Sequence, residues 1–465
     1  MKVTLLGHAS VLVELRGARC LMDPVFFDPF EDTAVVSCPR RSIALDAIPP
    51  VDLLVISHAH LDHFDIPSLA HVARTSRSCD VVCPKDHTIV YALERLGFTK
   101  IHPEAPHKHF KLGGYELLTT HSNVSNITEI GMVFKDDSGS FWNQVDTVVS
   151  PSTVTATLAQ AGAIDLLFAM YASQNFDFFQ SRGTGFPHDM HAMNLRNVMA
   201  VRPRMAVPGS AGFRFGGRGM EWCNAFLFPM TRERFIEDLA RLAPGISTRL
   251  ANPGDIFEIE GGAVEHRVAA SPIATMIEDD SHLLRFDPTA EIPALVDPNP
   301  DGVSAETLRA GVDACLAGFL GFIRDACTSG DPVVEEYRLV DATYAVGVVF
   351  DDGQERWLHL SLSANPVRSV RSVRSDGTSA PADAGHRIVA SALTSWAARE
   401  KSYFYLRGFS RQWSTLYAVS VEHGNVKVEP RQPQDLLAYY LLRKARGAEL
   451  AVKQWLDRQL APYVA

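Results

Sequence analysis

Three imidazoles and a carboxylate fall within six residues, at His58, His60, Asp62 and His63, directly after the apolar run 51–56. A short hydrophobic strand that ends in a loop of His and Asp presents nitrogen and oxygen donors together. That donor set suits zinc, iron or manganese. The cluster therefore predicts a metal site at the edge of a sheet.

The start of the chain adds to this pattern. Val3-Thr4-Leu5-Leu6-Gly7-His8-Ala9-Ser10 and Leu21-Met22-Asp23-Pro24 read as a first hairpin, and Ile56-Ser57-His58 leads into the cluster. With its His-x-His-x-Asp-His signature, the chain resembles the metallo-β-lactamase superfamily, an α/β fold arranged as an αββα sandwich. Within it, the Gly-His-Ala-Ser and Asp-Pro steps are similar to the branch of lactonase-like proteins, N-acylphosphatidylethanolamine phospholipase D and the CMP-N-acetylneuraminic acid hydroxylases. The resemblance implies two metal ions. His58 and His60 would bind the first, with His121 as its third imidazole, and Asp62 and His63 would bind the second, with Asp146 as the bridging carboxylate. Two bland alternatives stay open, because His121 follows two threonines and could cap a turn, and Asp146 could start a helix. Asp23 is expected to order a loop; for His8 a purely structural role is the favoured reading, the alternative being a place beside the site, where hydrogen bonds orient ligands.

One departure from the family pattern matters. A late-strand His usually completes the second metal, yet Ser210 stands in that place within Met205-Ala206-Val207-Pro208-Gly209-Ser210. A neutral hydroxyl is a poor replacement for imidazole. His188, or its neighbour His191, is the candidate for the missing nitrogen, the alternative being a helix capped by Asp189 with solvated His neighbours. Loss of that His, the segment 164–170 ending at Tyr171, and the aromatic, Gly-rich run 213–218 with Asn224 are similar to the hydroxylase-like members. Asp62, Asp146 and Tyr171 are the candidate catalytic groups.

A Rieske cluster needs Cys-x-His and Cys-x-x-His pairs, and none of the seven cysteines has a His two or three positions on. An oxygenase built on this chain would draw electrons from an external donor. The expected function is a dinuclear oxygenase with two iron ions acting on a small-molecule substrate. Zinc or manganese in a hydrolase of an ester, thioester, lactone or phosphodiester is the alternative, and a degenerate metal-binding scaffold is the non-enzymatic one.

With 44 basic and 54 acidic residues the formal charge is −10, which opposes binding to nucleic acid or to an anionic membrane surface. No apolar run approaches the ~18 residues of a membrane span, and the start lacks a leader pattern. A cytoplasmic protein is expected. The expected domains are a catalytic one over 1–265, a polar, Pro-bearing linker over 266–302, and an α+β unit over 303–465. In the last, Ser304 should cap a helix with an apolar face from Leu308 to Ile323, Asp352-Gly353 should close a hairpin, and helices are expected near 388–399 and 434–460. This unit could close over the site, bind a carrier or acyl group, or form a homodimer.

Overall fold

The computed structural model describes residues 1–124, 127–173, 185–217, 219–362, 368–370, 382–401, 403–422, 424–430, 433–442 and 448–464; Arg218 of the aromatic run lies outside them. The chain divides into two compact units. Among the described residues, the first holds 1–173, 185–290 and 459–464, and the second those within 291–458.

The first unit opens with β1 (Lys2–Gly7), β2 (Ser10–Leu15), β3 (Ala18–Met22), β4 (Val35–Ser37), β5 (Arg40–Ile43) and β6 (Leu53–Val55), then α1 (Ile66–Ser76), β7 (Asp80–Pro84), α2 (His87–Arg95) and β8 (Lys100–Glu104). It continues through β9 (His109–Leu112), β10 (Tyr115–His121), β11 (Ile130–Asp136), β12 (Gly139–Asn143), α3 (Pro151–Ala161), β13 (Leu166–Met170), α4 (His188–Val201) and β14 (Met205–Gly209). Its last elements are β15 (Phe213–Phe215), α5 (Arg232–Leu242), β16 (Ser247–Thr248), β17 (Ile256–Glu260), β18 (Ala263–Arg267) and β19 (Ala274–Glu278).

Two large sheets result, ordered β18-β17-β1-β2-β3-β6-β7-β8 and β16-β14-β13-β12-β11-β10-β9. Alternate residues of each strand point to one face, so Val3, Leu5, Val11, Val13 and Met22 of the first sheet meet Leu117, Met132, Phe134, Phe141 and Phe168 of the second in one core. On the outside, α3 packs on β10, α4 on β13 and α5 on β14, while α2 packs on β8. This is the expected αββα sandwich. Its α1 starts where Asp65 accepts from the Ser68 N–H with Pro67 in the first turn, a conformation proline already favours. The helix then buries Ile66, Leu69, Ala70, Val72 and Ala73; truncating the fully buried Leu69 to Ala would cost about 3 kcal/mol.

The boundary between the units falls within the expected linker over 266–302, whose first part belongs to the first unit. Residues 274–278 form β19, paired antiparallel with β5, and the units divide between Ala290 and Glu291. Strand β19 exposes four of its five residues, Thr275, Met276, Ile277 and Glu278.

In the second unit, α6 (Ala305–Ser329) begins at Ser304, whose side chain accepts from the Thr307 N–H, and it buries Leu308, Val312, Leu316, Phe319 and Ile323 as the spacing predicts. After α7 (Pro332–Arg338), β20 (Thr343–Val349) and β21 (Glu355–Ser361) form the hairpin closed at Asp352-Gly353. They join β22 (Arg368–Val370), β23 (Ala384–Val389) and β24 (Ser410–Ser414) in a five-stranded sheet. Helices α8 (Ala390–Ala397) and α9 (Tyr403–Arg407) lie between its last two strands in sequence; β25 (Tyr417–Glu422) and β26 (Asn425–Pro430) pair separately. The expected terminal helix is described as two, α10 (Leu436–Leu442) and α11 (Ala448–Leu460), with 443–447 outside the described residues. Among the described residues, no helix is long and apolar enough to cross a membrane.

Candidate metal centre

The cluster is set by β6, a central strand flanked in parallel by β3 and β7. Beyond Val55 the chain leaves the sheet and turns, with the His63 and Phe64 N–H groups both donating to the His60 carbonyl. The buried Phe64 pins this turn. Parallel pairing of Met22 with Val55 also brings Asp23 beside Ser57.

Asp23 is fully buried in left-handed backbone (φ 46°). Its carboxylate accepts from the Ser57 N–H (2.7 Å), from Ser57 Oγ (2.6 Å) and from His63 Nδ1 (2.9 Å). Because the Ser57 hydroxyl gives its one proton to Asp23, its contact with His58 Nδ1 at 2.8 Å makes that nitrogen the donor. Both rings are thereby fixed with Nδ1 protonated and Nε2 turned inward. Such anchoring is the usual way a ligating His is oriented.

The inward atoms converge. His63 Nε2 is buried without a hydrogen-bond partner, 3.4 Å from Asp146 Oδ2 and 3.7 Å from Asp62 Oδ2. His58 Nε2 lies 2.9 Å from Nδ1 of His60, whose side chain is exposed. Two ligands ~2.1 Å from one cation in tetrahedral geometry stand about 3.4 Å apart, so these spacings suit atoms that share an ion. Asp146 arrives on the loop after β12, through left-handed Val145 (φ 50°), and also accepts from Ser210 Oγ. Two overlapping groups, His58-His63-Asp146 and His8-Asp62-His63, each bring their donor atoms within 4.8 Å of one another.

Electrostatics tie these groups together. Burial pushes the Asp62 and Asp146 carboxyls up, but the facing His63 and, in smaller measure, His8 outweigh it, and both end below the ordinary carboxylate range. Burial disfavours a charged His63, yet Asp62 and Asp146 hold its proton to well above the ordinary value. With no cation bound, the His63 proton balances the two carboxylates, and a metal ion would take its place. His58 is driven the other way, by burial and then by His63 and His60, and stays neutral.

Sequence reasoning missed Glu129. Its buried carboxyl accepts from Ser122 Oγ at 2.7 Å and lies 3.7 Å from His58 Nδ1. Burial, followed by repulsion from Asp146, raises it to about 7. A single acid before the apolar start of β11 carried no signal of this.

Four expected site residues stand outside the two convergent groups: His60, which meets them through His58 Nε2, and three others. His121, at the end of β10, is half-buried and stacks on His107 at 6.1 Å between ring centroids. Tyr171 is buried just after β13 against Phe235, 5.9 Å away. His188 opens α4 and lines a cavity of about 810 Å³ with Phe186, His191, Arg234 and Arg285.

An αββα sandwich with imidazoles and carboxylates gathered at the strand ends defines the metallo-β-lactamase type of fold. Residues 19–206 match the family model of the Beta-lactamase superfamily domain. An uncharacterized protein of Mycobacterium tuberculosis is 38% identical over 82 residues, 17% of this chain and 22% of its own length. The N-acyl-phosphatidylethanolamine-hydrolyzing phospholipase D 1 of Caenorhabditis elegans is 37% identical over 73 residues, 15% of this chain and 20% of its own. The chain thus matches about a fifth of the length of these curated relatives. Among solved structures, CmlA, a diiron beta-hydroxylase from Streptomyces venezuelae, aligns with a TM-score of 0.39 at 18% identity, covering 54% of this chain and 53% of that one.

Proposed function

We propose that this protein is a dinuclear metal-dependent oxygenase of a small organic substrate. In this reading His58 and His60 hold one cation, Asp62 and His63 hold the second, and Asp146 serves both. His60 stays in the set through the 2.9 Å approach of its Nδ1 to His58 Nε2, and His121, which joins neither convergent group, is left out. The buried, unpartnered His63 Nε2 between two ionised carboxylates is the observation that carries the metal assignment. Asp62 and Asp146 share the single His63 proton, so one of the two carboxylate charges lacks a counterpart in the dry site, which costs several kcal/mol.

Bound iron would supply the electron transfer that activates dioxygen, for which a mixed imidazole and carboxylate donor set is suited. Hydroxylation places one atom of dioxygen into a C–H bond and releases the other as water, drawing two electrons and two protons from an external reductant. Ser210, standing where the family places a ligand and donating instead to Asp146, leaves the second position three protein groups and room for small molecules. This favours oxygenation. Around it, Asp23 and Ser57 hold the rings in their ligating tautomers and Asp146 stays ionised.

A hydrolase is the second reading, supported by the local likeness to the phospholipase D. Bound zinc or manganese would then lower the pKa of water, with Asp62 or Asp146 receiving the proton. Metal analysis of protein isolated without added metal, combined with oxygen electrode traces, separates the two. Copurified iron and reductant-dependent oxygen uptake support oxygenation. Stoichiometric zinc, a flat oxygen trace and turnover of a generic phosphodiester would replace it with hydrolysis.

A further inference from the structure

One turn holds both acidic side chains of the second metal position. After β14, backbone in the left-handed region at Ser210 (φ 64°) and Ala211 (φ 55°) reverses the chain. The reversal points Ser210 Oγ at Asp146 Oδ1, to which it donates. Two residues on, it points the Gly212 N–H at His8 Nδ1, 3.0 Å away.

That second bond determines what His8 can do. A backbone N–H only donates, so Nδ1 must carry the lone pair and the neutral ring keeps its proton on Nε2. This Nε2–H is buried and faces Asp62 Oδ2 across 3.2 Å. While the Gly212 bond persists, Nε2 has no lone pair to give a cation. The contact is built in from both sides. A Cβ on Gly212 would lie 2.7 Å from His8 Cα and 2.9 Å from His8 N, and a Cβ on Gly7 (φ 121°) would lie 2.6 Å from Arg41 Cδ. The buried Arg41 in turn donates to the Leu6 and Val25 carbonyls at 2.7 and 2.6 Å, clamping the loop that carries His8.

We propose that His8 and Ser210 are positioning residues: the turn 210–212 orients Asp62 and Asp146 through a neutral N–H and a neutral O–H, and His8 is not itself a ligand. The inference rests on the two-metal reading above. It explains how the second position works with Ser in place of His, since the turn that lost a ligand steers the two carboxylates that remain.

The test uses zinc as the added ion and two readouts other than activity. Long-range proton–nitrogen spectra of histidine side chains are taken before and after zinc is added to the full chain. His8 should keep its proton on Nε2 in both states, while His63 loses its Nε2 proton. Competition with a chromophoric chelator then compares variants. His8→Ala should weaken the second zinc equivalent by about 10- to 100-fold and leave the first unchanged; Ser210→Ala, which releases the shared Asp146, should weaken the second as much and the first by less. Loss of the His8 Nε2 proton on zinc addition would make it a ligand and overturn the proposal, even if the variants fail to fold. Equal weakening of both equivalents would reduce the turn to a structural element. Failure of the parent to bind two zinc ions would instead remove the two-metal reading, and this inference with it.

Discussion

The first unit holds two pairs of histidines that the sequence offers as ligands and that the fold treats in opposite ways. His58 and His63 each have Nδ1 engaged by the Ser57-Asp23 pair and Nε2 aimed inward, and both side chains are fully buried. His191 instead spends Nε2 on Asp238 at 3.2 Å, and Asp238 also holds Arg234 at 2.9 Å. His188 rests on Phe186, 4.7 Å between ring centroids. Spacing alone cannot make a ligand. What separates the pairs is a buried acceptor that fixes one nitrogen and leaves the other facing carboxylates.

The sharpest way to break this contrast is to remove an inward donor. His60→Ala should weaken the first zinc equivalent by more than about 100-fold, beyond the effect of losing an outer partner. Because His60 is exposed, stability should move by less than about 1 kcal/mol. Asp62→Ala should do the same to the second equivalent. Metal content after dialysis checks both, and full retention in either variant would contradict the assignment.

Next in size is the anchor. Asp23→Ala strands the Ser57 N–H, the Ser57 hydroxyl and His63 Nδ1 in a dry site, at a cost of about 3 kcal/mol. Zinc affinity should fall about 10- to 100-fold. Denaturant melts and chelator competition on the same sample read the two losses. Unchanged affinity in a folded variant would mean that the imidazoles need no anchoring.

How much of this was legible beforehand follows from sequence distance. His58, His60, Asp62 and His63 sit on one strand end and one turn, so their local spacing exposed them. The αββα layers were legible through the family signature and the alternating strands. Asp23 reaches Ser57 only because β3 and β6 are parallel neighbours, His8 meets Gly212 only across the sandwich rim, and β19 pairs with β5 over more than 200 residues. No local pattern encodes such pairings. His121 shows the converse, since a strand-end His at an acceptable spacing joins neither convergent group.

Glu129 sharpens the comparison through pH. Its carboxyl is raised from 4.5 to about 7 by burial and then by Asp146, so the folded protein keeps the proton that the unfolded chain has already lost. Its stabilising contribution is full below about pH 4.5 and disappears as pH rises through 7. Glu129→Gln cannot ionise and can still accept from Ser122. In metal-free protein the variant should gain on the parent between pH 5 and 8, by on the order of 2 kcal/mol. Parallel melting curves across that range would mean Glu129 is ionised in the folded state at all of them.

The smallest effects are expected at α4, where the contrast predicts indifference. His191→Ala removes a partly exposed pairing with Asp238, and Arg234 remains to hold that carboxylate, so the loss should stay under about 1 kcal/mol. His188→Ala takes away a ring at the mouth of an open cavity. Neither change should alter zinc stoichiometry or affinity, because neither imidazole has a free nitrogen facing Asp62, His63 or Asp146 in the convergent groups. A drop in the second zinc equivalent in His188→Ala alone would restore that residue as the replacement for the imidazole missing at Ser210. It would also require α4 to move toward the turn 210–212, which chemical-shift changes at Ser210 and Gly212 on zinc binding would report.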